Sequence, residues 1–238
     1  MSEELTFDFN LFPKLKEAEY DYFWFEVRRK WIFDKINKLK KPPAKLLEIG
    51  CGTGNISSHL SLYGYSVVGC DYYIEGLKLA WPGFKIVCGD ARNLPFRDES
   101  FDIVGLFDVI EHFEDDLHII EEAKRVLNTK GFMVLTVPAQ EELWSEFDIS
   151  VFHKRRYTKK KLKELLLKAH LKIISIEYMF MFLYLPIKYI RNKNPNLDTF
   201  KINKYLNKFL KIVFNFERKI SKFWNLPIGT SLIAIAQK

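Results

Sequence analysis

Cysteine is scarce in this chain: Cys51, Cys70 and Cys88 are the only three, and none has a Cys or His partner at metal-ligand spacing. That excludes a disulfide scaffold and a zinc ribbon. All three fall in or just after expected inner strands, as small buried side chains in a reducing compartment would. Long apolar runs are also missing, since none approaches the ~20 residues that a membrane-spanning helix needs. The N-terminus lacks a basic start followed by an apolar core, so no secretory leader is expected and the cytoplasm is the expected location. Acidic charge is nearly absent from the last quarter. Residues 180–238 hold 11 Lys/Arg against 2 Asp/Glu, a balance of +9, while residues 1–179 hold 26 against 28. There are no internal repeats or low-complexity linkers. Hydrophobic residues make up 48% of the 238, enough for a packed core and too many for a disordered tail.

What is present is concentrated in Lys45-Leu46-Leu47-Glu48-Ile49-Gly50-Cys51-Gly52-Thr53-Gly54-Asn55. It reads as a buried parallel strand that breaks into a glycine-rich turn and then opens a helix. Gly50, Gly52 and Gly54 let the backbone turn sharply and approach a ligand closely, and the helix from Asn55 points free N–H groups at it. The G-x-G-x-G spacing departs from the G-x-G-x-x-G of dinucleotide sites. Glu48, two residues before the first glycine, suits a positively charged ligand better than a pyrophosphate. Further strands end in Cys70-Asp71, Cys88-Gly89-Asp90-Ala91 and Phe107-Asp108. Three acids therefore sit at the edge where open α/β sheets bind ligands.

These segments, together with SFDIVGLFDVIEH and GFMVLTVP over residues 45 to 138, resemble the class I S-adenosylmethionine-dependent methyltransferases in order and spacing. The resemblance implies an α/β, Rossmann-like, seven-stranded mixed sheet with helices on both faces and the last strand antiparallel. It implies that Gly50, Cys51, Gly52, Asn55 and Glu48 border the methionine part of the cofactor. Asp71 would hold the ribose hydroxyls with Tyr72 against the adenine, Asp90 and Ala91 would meet the adenine, and Phe107, Asp108 and His112 would lie beside the cofactor. The product would be S-adenosylhomocysteine.

The chain divides into a helical cover (1–43), the core (44–178), an insert (179–228) and a last strand (229–238). Tyr22-Phe23-Trp24-Phe25-Glu26-Val27-Arg28-Arg29 resembles the aromatic-then-paired-arginine lead-in of one branch of the family. There the segment covers the cofactor, so Trp24 and Arg28 are candidates to touch it, and an arginine suits a carboxylate.

Methyl transfer asks a protein for alignment, desolvation and deprotonation of the acceptor. Candidate polar groups stand after the fourth and fifth strands. In Glu111-His112 the histidine is a base near neutral pH, and the acid can orient it or help hold a metal; no metal is assigned. Trp144-Ser145-Glu146-Phe147-Asp148 with His153-Lys154-Arg155-Arg156-Tyr157 resembles a loop of the same branch. His153 and Tyr157 are its catalytic candidates, and Asp148 is the fallback acid. The alternative for Arg156 and Tyr157 is to tie the loop down.

In the insert, Phe200, Tyr205, Phe209, Ile212, Phe216, Ile220 and Phe223 recur at helical spacing among Lys201, Lys204, Lys208, Lys211, Arg218, Lys219 and Lys222. This is a basic amphipathic helix. Its apolar stripe either packs on the core as a lid or touches an anionic membrane as well. The expected function is methyl transfer to an oxygen of a small or lipid-like acceptor. RNA or protein methylation and a non-catalytic, membrane-docking protein are the rivals. Nucleic acid is disfavoured, because no Asn-Pro-Pro-Tyr signature or RNA-binding motif accompanies the basic charge. Oligomeric state is open.

Overall fold

A computed structural model describes residues 11–193 and 202–238. Two helices, α1 (Leu11–Asp21) and α2 (Phe23–Leu39), precede β1 (Lys45–Ile49). Then follow α3 (Asn55–Leu62), β2 (Ser66–Asp71), α4 (Ile74–Lys78), β3 (Lys85–Cys88) and β4 (Phe101–Phe107). A 3-10 turn at Ile110–His112 leads to α5 (Asp116–Val126) and β5 (Leu127–Pro138). The rest comprises α6 (Glu146–Ser150), α7 (Lys159–Lys168), β6 (Lys172–Met179), α8 (Met181–Lys193), α9 (Lys204–Ile220) and β7 (Ser231–Gln237).

The sheet order is β3-β2-β1-β4-β5-β7-β6. The first five strands are parallel to their neighbours, and β7 runs antiparallel between β5 and β6. This is the mixed seven-stranded sheet the resemblance implies. Alternation along β1 sends Leu47 and Ile49 to one face and Leu46 to the other. On the first face they meet Ile119, Ile120, Leu162 and Leu166 of α5 and α7. On the second, Leu46 joins Val27, Trp31, Ile32, Ile56, Leu60 and Phe214 of α2, α3 and α9. Local signals start two of the helices: Thr158 caps α7 by accepting from the Lys161 amide, and Asp115 caps α5 by accepting from the His118 amide.

Three expectations need correction. Cys88 is exposed rather than buried, because β3 is the sheet's edge strand. Asn128-Thr129-Lys130-Gly131, a stretch that reads as a turn leading into a strand at Phe132, lies instead inside β5 as an irregularity, with Lys130 at φ +64° and a register shift against β4. The third concerns α9. Its buried residues are Asn207, Phe214 and Glu217, while Tyr205, Phe209, Ile212 and Phe216, the expected core stripe, are exposed, as is Phe223. Phe200 and Lys201 lie outside the described residues.

Polar chemistry explains which face of α9 packs inward. The Asn207 carboxamide accepts from the Phe23 amide and donates to the Asp21 carbonyl, joining α9 to the start of α2. The Glu217 carboxylate accepts from the Met181 and Phe182 amides, capping α8. Those buried polar partners, with Phe214 packed between them, fix the face of α9 that turns inward.

Candidate active site

At the carboxyl edge of the parallel strands the chain opens a cavity of about 750 Å³. Its floor is the glycine turn. Gly50, Gly52 and Gly54 hold φ of +67°, +53° and +72°, which side-chain-bearing residues adopt at a cost. A Cβ on Gly50 would also stand 2.6 Å from a Val109 methyl. The Gly50 and Cys51 amides donate to the Cys70 carbonyl, fixing the turn to β2.

Acids line this end. Glu48 is fully buried with Ser57 donating to it, and burial pushes its carboxyl up to about 8 against that hydrogen bond and the Arg28 charge. Asp71 accepts from the Gly52 amide at 2.7 Å and the Tyr73 amide at 2.9 Å; burial raises it, and those hydrogen bonds limit the rise. Asp90 is half-buried and grips Arg92, 2.6 Å away.

The helical cover contributes as well. Arg28 reaches the Asp108 carboxylate at 2.6 Å and donates to Thr136 Oγ1 at 3.0 Å, with its guanidinium 4.9 Å from the Trp24 ring. All of the expected cofactor-facing residues line the cavity, from Trp24 and Arg28 through Glu48, Asp71, Asp90 and Ala91 to Phe107, Asp108 and His112. Tyr72, 51% exposed, stands at its lip. Sequence reading missed Glu19. This buried acid of α1 accepts from Thr53 and from the Trp81 indole at 2.9 Å, and so ties the cover to the glycine turn. An isolated acid in a mixed amphipathic helix carries no signal of that role.

The other end of the cavity gathers the two catalytic clusters. The Lys154 amide donates to the Glu111 carbonyl at 2.7 Å, holding the loop after α6 against the 3-10 turn. The His112 and His153 rings lie 4.9 Å apart between centroids. His153 Nδ1 is 2.9 Å from Asp148 Oδ1. Asp148 also accepts from Arg156 Nε at 2.9 Å and from the Ser145 amide at 3.0 Å. Burial acts to raise Asp148, but the His153 hydrogen bond and the Arg156 charge overcome it and hold the carboxyl below its usual range. A carboxylate can only accept, so a neutral His153 carries its proton on Nδ1 and leaves a lone pair on Nε2.

His112 is neutral, its pKa lowered to about 3 by burial and then by His153. Glu111 is 0% exposed, and burial, then the Asp108 charge, lift its carboxyl well above the usual range. Tyr157 does not join this group. It lies outside the cavity lining, and its buried hydroxyl donates to Asp116 Oδ2 at 2.7 Å. Arg156 likewise serves the loop, through Asp148 and the Ala139 carbonyl.

Comparison with known proteins follows the same lines. The profile of a methyltransferase domain matches residues 47–135. An uncharacterised protein of Methanocaldococcus jannaschii is 35% identical over 54% of this chain and 61% of its own length. Phthiotriol/phenolphthiotriol dimycocerosates methyltransferase 1 of Mycobacterium ulcerans is 36% identical over 39% of this chain and 36% of its own. The chain thus spans about three fifths or less of these curated relatives. A solved SAM-dependent methyltransferase from Archaeoglobus fulgidus superposes with a TM-score of 0.61 at 19% identity, covering 90% of this chain and 94% of its own.

Proposed function

The chain belongs to the class I S-adenosylmethionine-dependent methyltransferases, and from that premise we propose that it methylates an oxygen of a small or lipid-like acceptor. One observation carries the reading: a single cavity joins an acid-lined glycine turn to a pair of histidines through mainly apolar walls. The acids at the turn outnumber its one arginine, which fits a ligand bearing a sulfonium and an ammonium. When bound, that cofactor supplies an electrophilic methyl group. Glu48 and the Gly50–Gly52 backbone would hold its amino-acid end, Asp71 its ribose hydroxyls, and Asp90 with Ala91 its base.

The chain's own residues do the rest. Leu143, Phe147, Leu183 and Ile187 line the acceptor end and exclude water. His153, oriented by Asp148, offers Nε2 to take the acceptor hydroxyl's proton. The M. ulcerans relative's name points to a lipid acceptor for that protein, in keeping with apolar walls here.

The exposed stripe of α9 supports a further part of the reading, contact with an anionic lipid surface. Phe209, Ile212 and Phe216 are each about 60% exposed, with Lys208 and Lys219 beside them. Apolar side chains flanked by lysines match an interface of acyl chains and anionic headgroups. Among the described residues no helix is long and apolar enough to cross a membrane.

Calorimetric titration with S-adenosylhomocysteine tests the cofactor site. Micromolar binding that weakens at least tenfold in Asp71→Ala is expected, and absence of heat alongside tight NAD(P) binding would reject the reading. Co-sedimentation with anionic against zwitterionic vesicles, at low and high salt, tests the surface. Equal recovery with both lipids would remove the membrane contact.

A further inference from the structure

Both carboxylate oxygens of Glu111 are buried without any hydrogen-bond partner. An unpartnered buried carboxyl is costly whether it is charged or protonated. It faces the same cavity as His112 and His153, and one ligand atom from each of the three lies within 4.8 Å of the others. The separation of His153 Nε2 from Glu111 Oε1, 3.9 Å, is too long for a hydrogen bond. A gap lined by one orphan oxygen and imidazole nitrogens is what a cation would fill.

The surroundings match as well. Metal-binding histidines usually give their second ring nitrogen to a carboxylate or a carbonyl. His153 gives Nδ1 to Asp148, itself locked by Arg156.

We propose that Glu111, His112 and His153 bind a divalent transition-metal ion of the zinc, cobalt or manganese class at the acceptor end of the cavity. Two imidazoles and a carboxylate suit such ions, and three protein ligands leave a coordination position facing the cavity. Bonds of ~2.1 Å in a tetrahedron put ligands ~3.4 Å apart, which side-chain rotation reaches from the present spacing. The inference deepens the O-methylation reading and rests on it for the ion's purpose. The acceptor's hydroxyl oxygen takes the open position, its O–H bond breaks, the proton leaves to water, and the ion holds the oxyanion. His153 is then a ligand in place of a base.

The test uses the full chain, stripped with a chelator and titrated with Co²⁺ by visible absorption and with Zn²⁺ by calorimetry. One ion per chain is expected, with a ligand-field band, and Zn²⁺ affinity falling by at least about tenfold in Glu111→Gln and in His153→Asn. Melting curves and S-adenosylhomocysteine binding show whether each variant is folded. A wild-type chain that binds neither ion, or variants that stay folded and bind as tightly as wild type, would overturn the site and leave His153 as a simple base. Homocysteine-nucleoside binding that persists without any ion leaves the methyltransferase reading standing. Ion binding without it would reject that reading alone.

Discussion

Arg28 of α2 closes on Asp108, the residue after β4, with 2.6 Å between guanidinium and carboxylate and side-chain exposures of only 10% and 23%. Asp108 sits at φ +59°, so a strained backbone presents the acid and a covering helix neutralises it. Removing one member of such a pair strands the other. Arg28→Met is therefore expected to lower unfolding free energy by about 1–3 kcal/mol, discounted because Asp108 is partly wet. A double-mutant cycle with Asp108→Asn in urea reads the coupling, and a coupling near zero would show that the pair adds nothing.

Glu48 sets a pH dependence. Its folded pKa, about 8, lies above the ordinary 4.5 because burial disfavours the charge. A raised folded pKa means stability that is complete below about 4.5 and is lost as pH rises through about 8. Thermal melts should show wild type losing ground against Glu48→Gln between pH 5 and 8, with no further divergence above. Parallel curves across that window would contradict the assignment. Any loss of affinity for a cationic ligand in this variant is expected only above about pH 8, where wild-type Glu48 carries its charge.

The sheet and the cofactor end were legible because their signals are local. A strand's apolar run, glycines at fixed offsets and acids at strand ends all act within a few residues of one another, and the fourteen residues offered for the cofactor, several of them by resemblance alone, line one cavity. The pairing of Asp148 with His153 and Arg156 was half legible, since the residues lie within one loop. Glu19 and Asn207 were not. Their partners, Trp81 and Phe23, stand 62 and 184 positions away, and nothing in helical periodicity marks a polar residue that bonds across the fold.

Tyr157 and His153, four residues apart, separate in role. The Tyr157 hydroxyl is spent on Asp116, and burial followed by the Asp116 charge holds its proton firmly in place. Tyr157→Phe should cost about 1 kcal/mol of stability and leave kcat within about twofold on whichever acceptor a screen yields. His153→Asn should lower kcat on that acceptor by roughly 10²-fold, whether the imidazole takes the acceptor's proton itself or holds the ion that promotes its loss. Equal losses in the two variants would return Tyr157 to the reacting centre.

The two faces of α9 give the sharpest contrast between pattern and packing. Phe216 falls on the stripe that hydrophobic spacing assigns to the core, yet it is 60% exposed, while Phe214 is 1% exposed and stacks near Phe23 at 5.4 Å. Truncating a buried phenylalanine removes both transfer energy and packing, about 3–5 kcal/mol, whereas a surface truncation stays within about 0.5 kcal/mol. Phe214→Ala should therefore destabilise the fold severely in chemical denaturation and Phe216→Ala hardly at all. If Phe216→Ala proves the costlier change, α9 is turned the other way, its apolar stripe is a lid on the core, and no exposed face is left to meet a lipid surface.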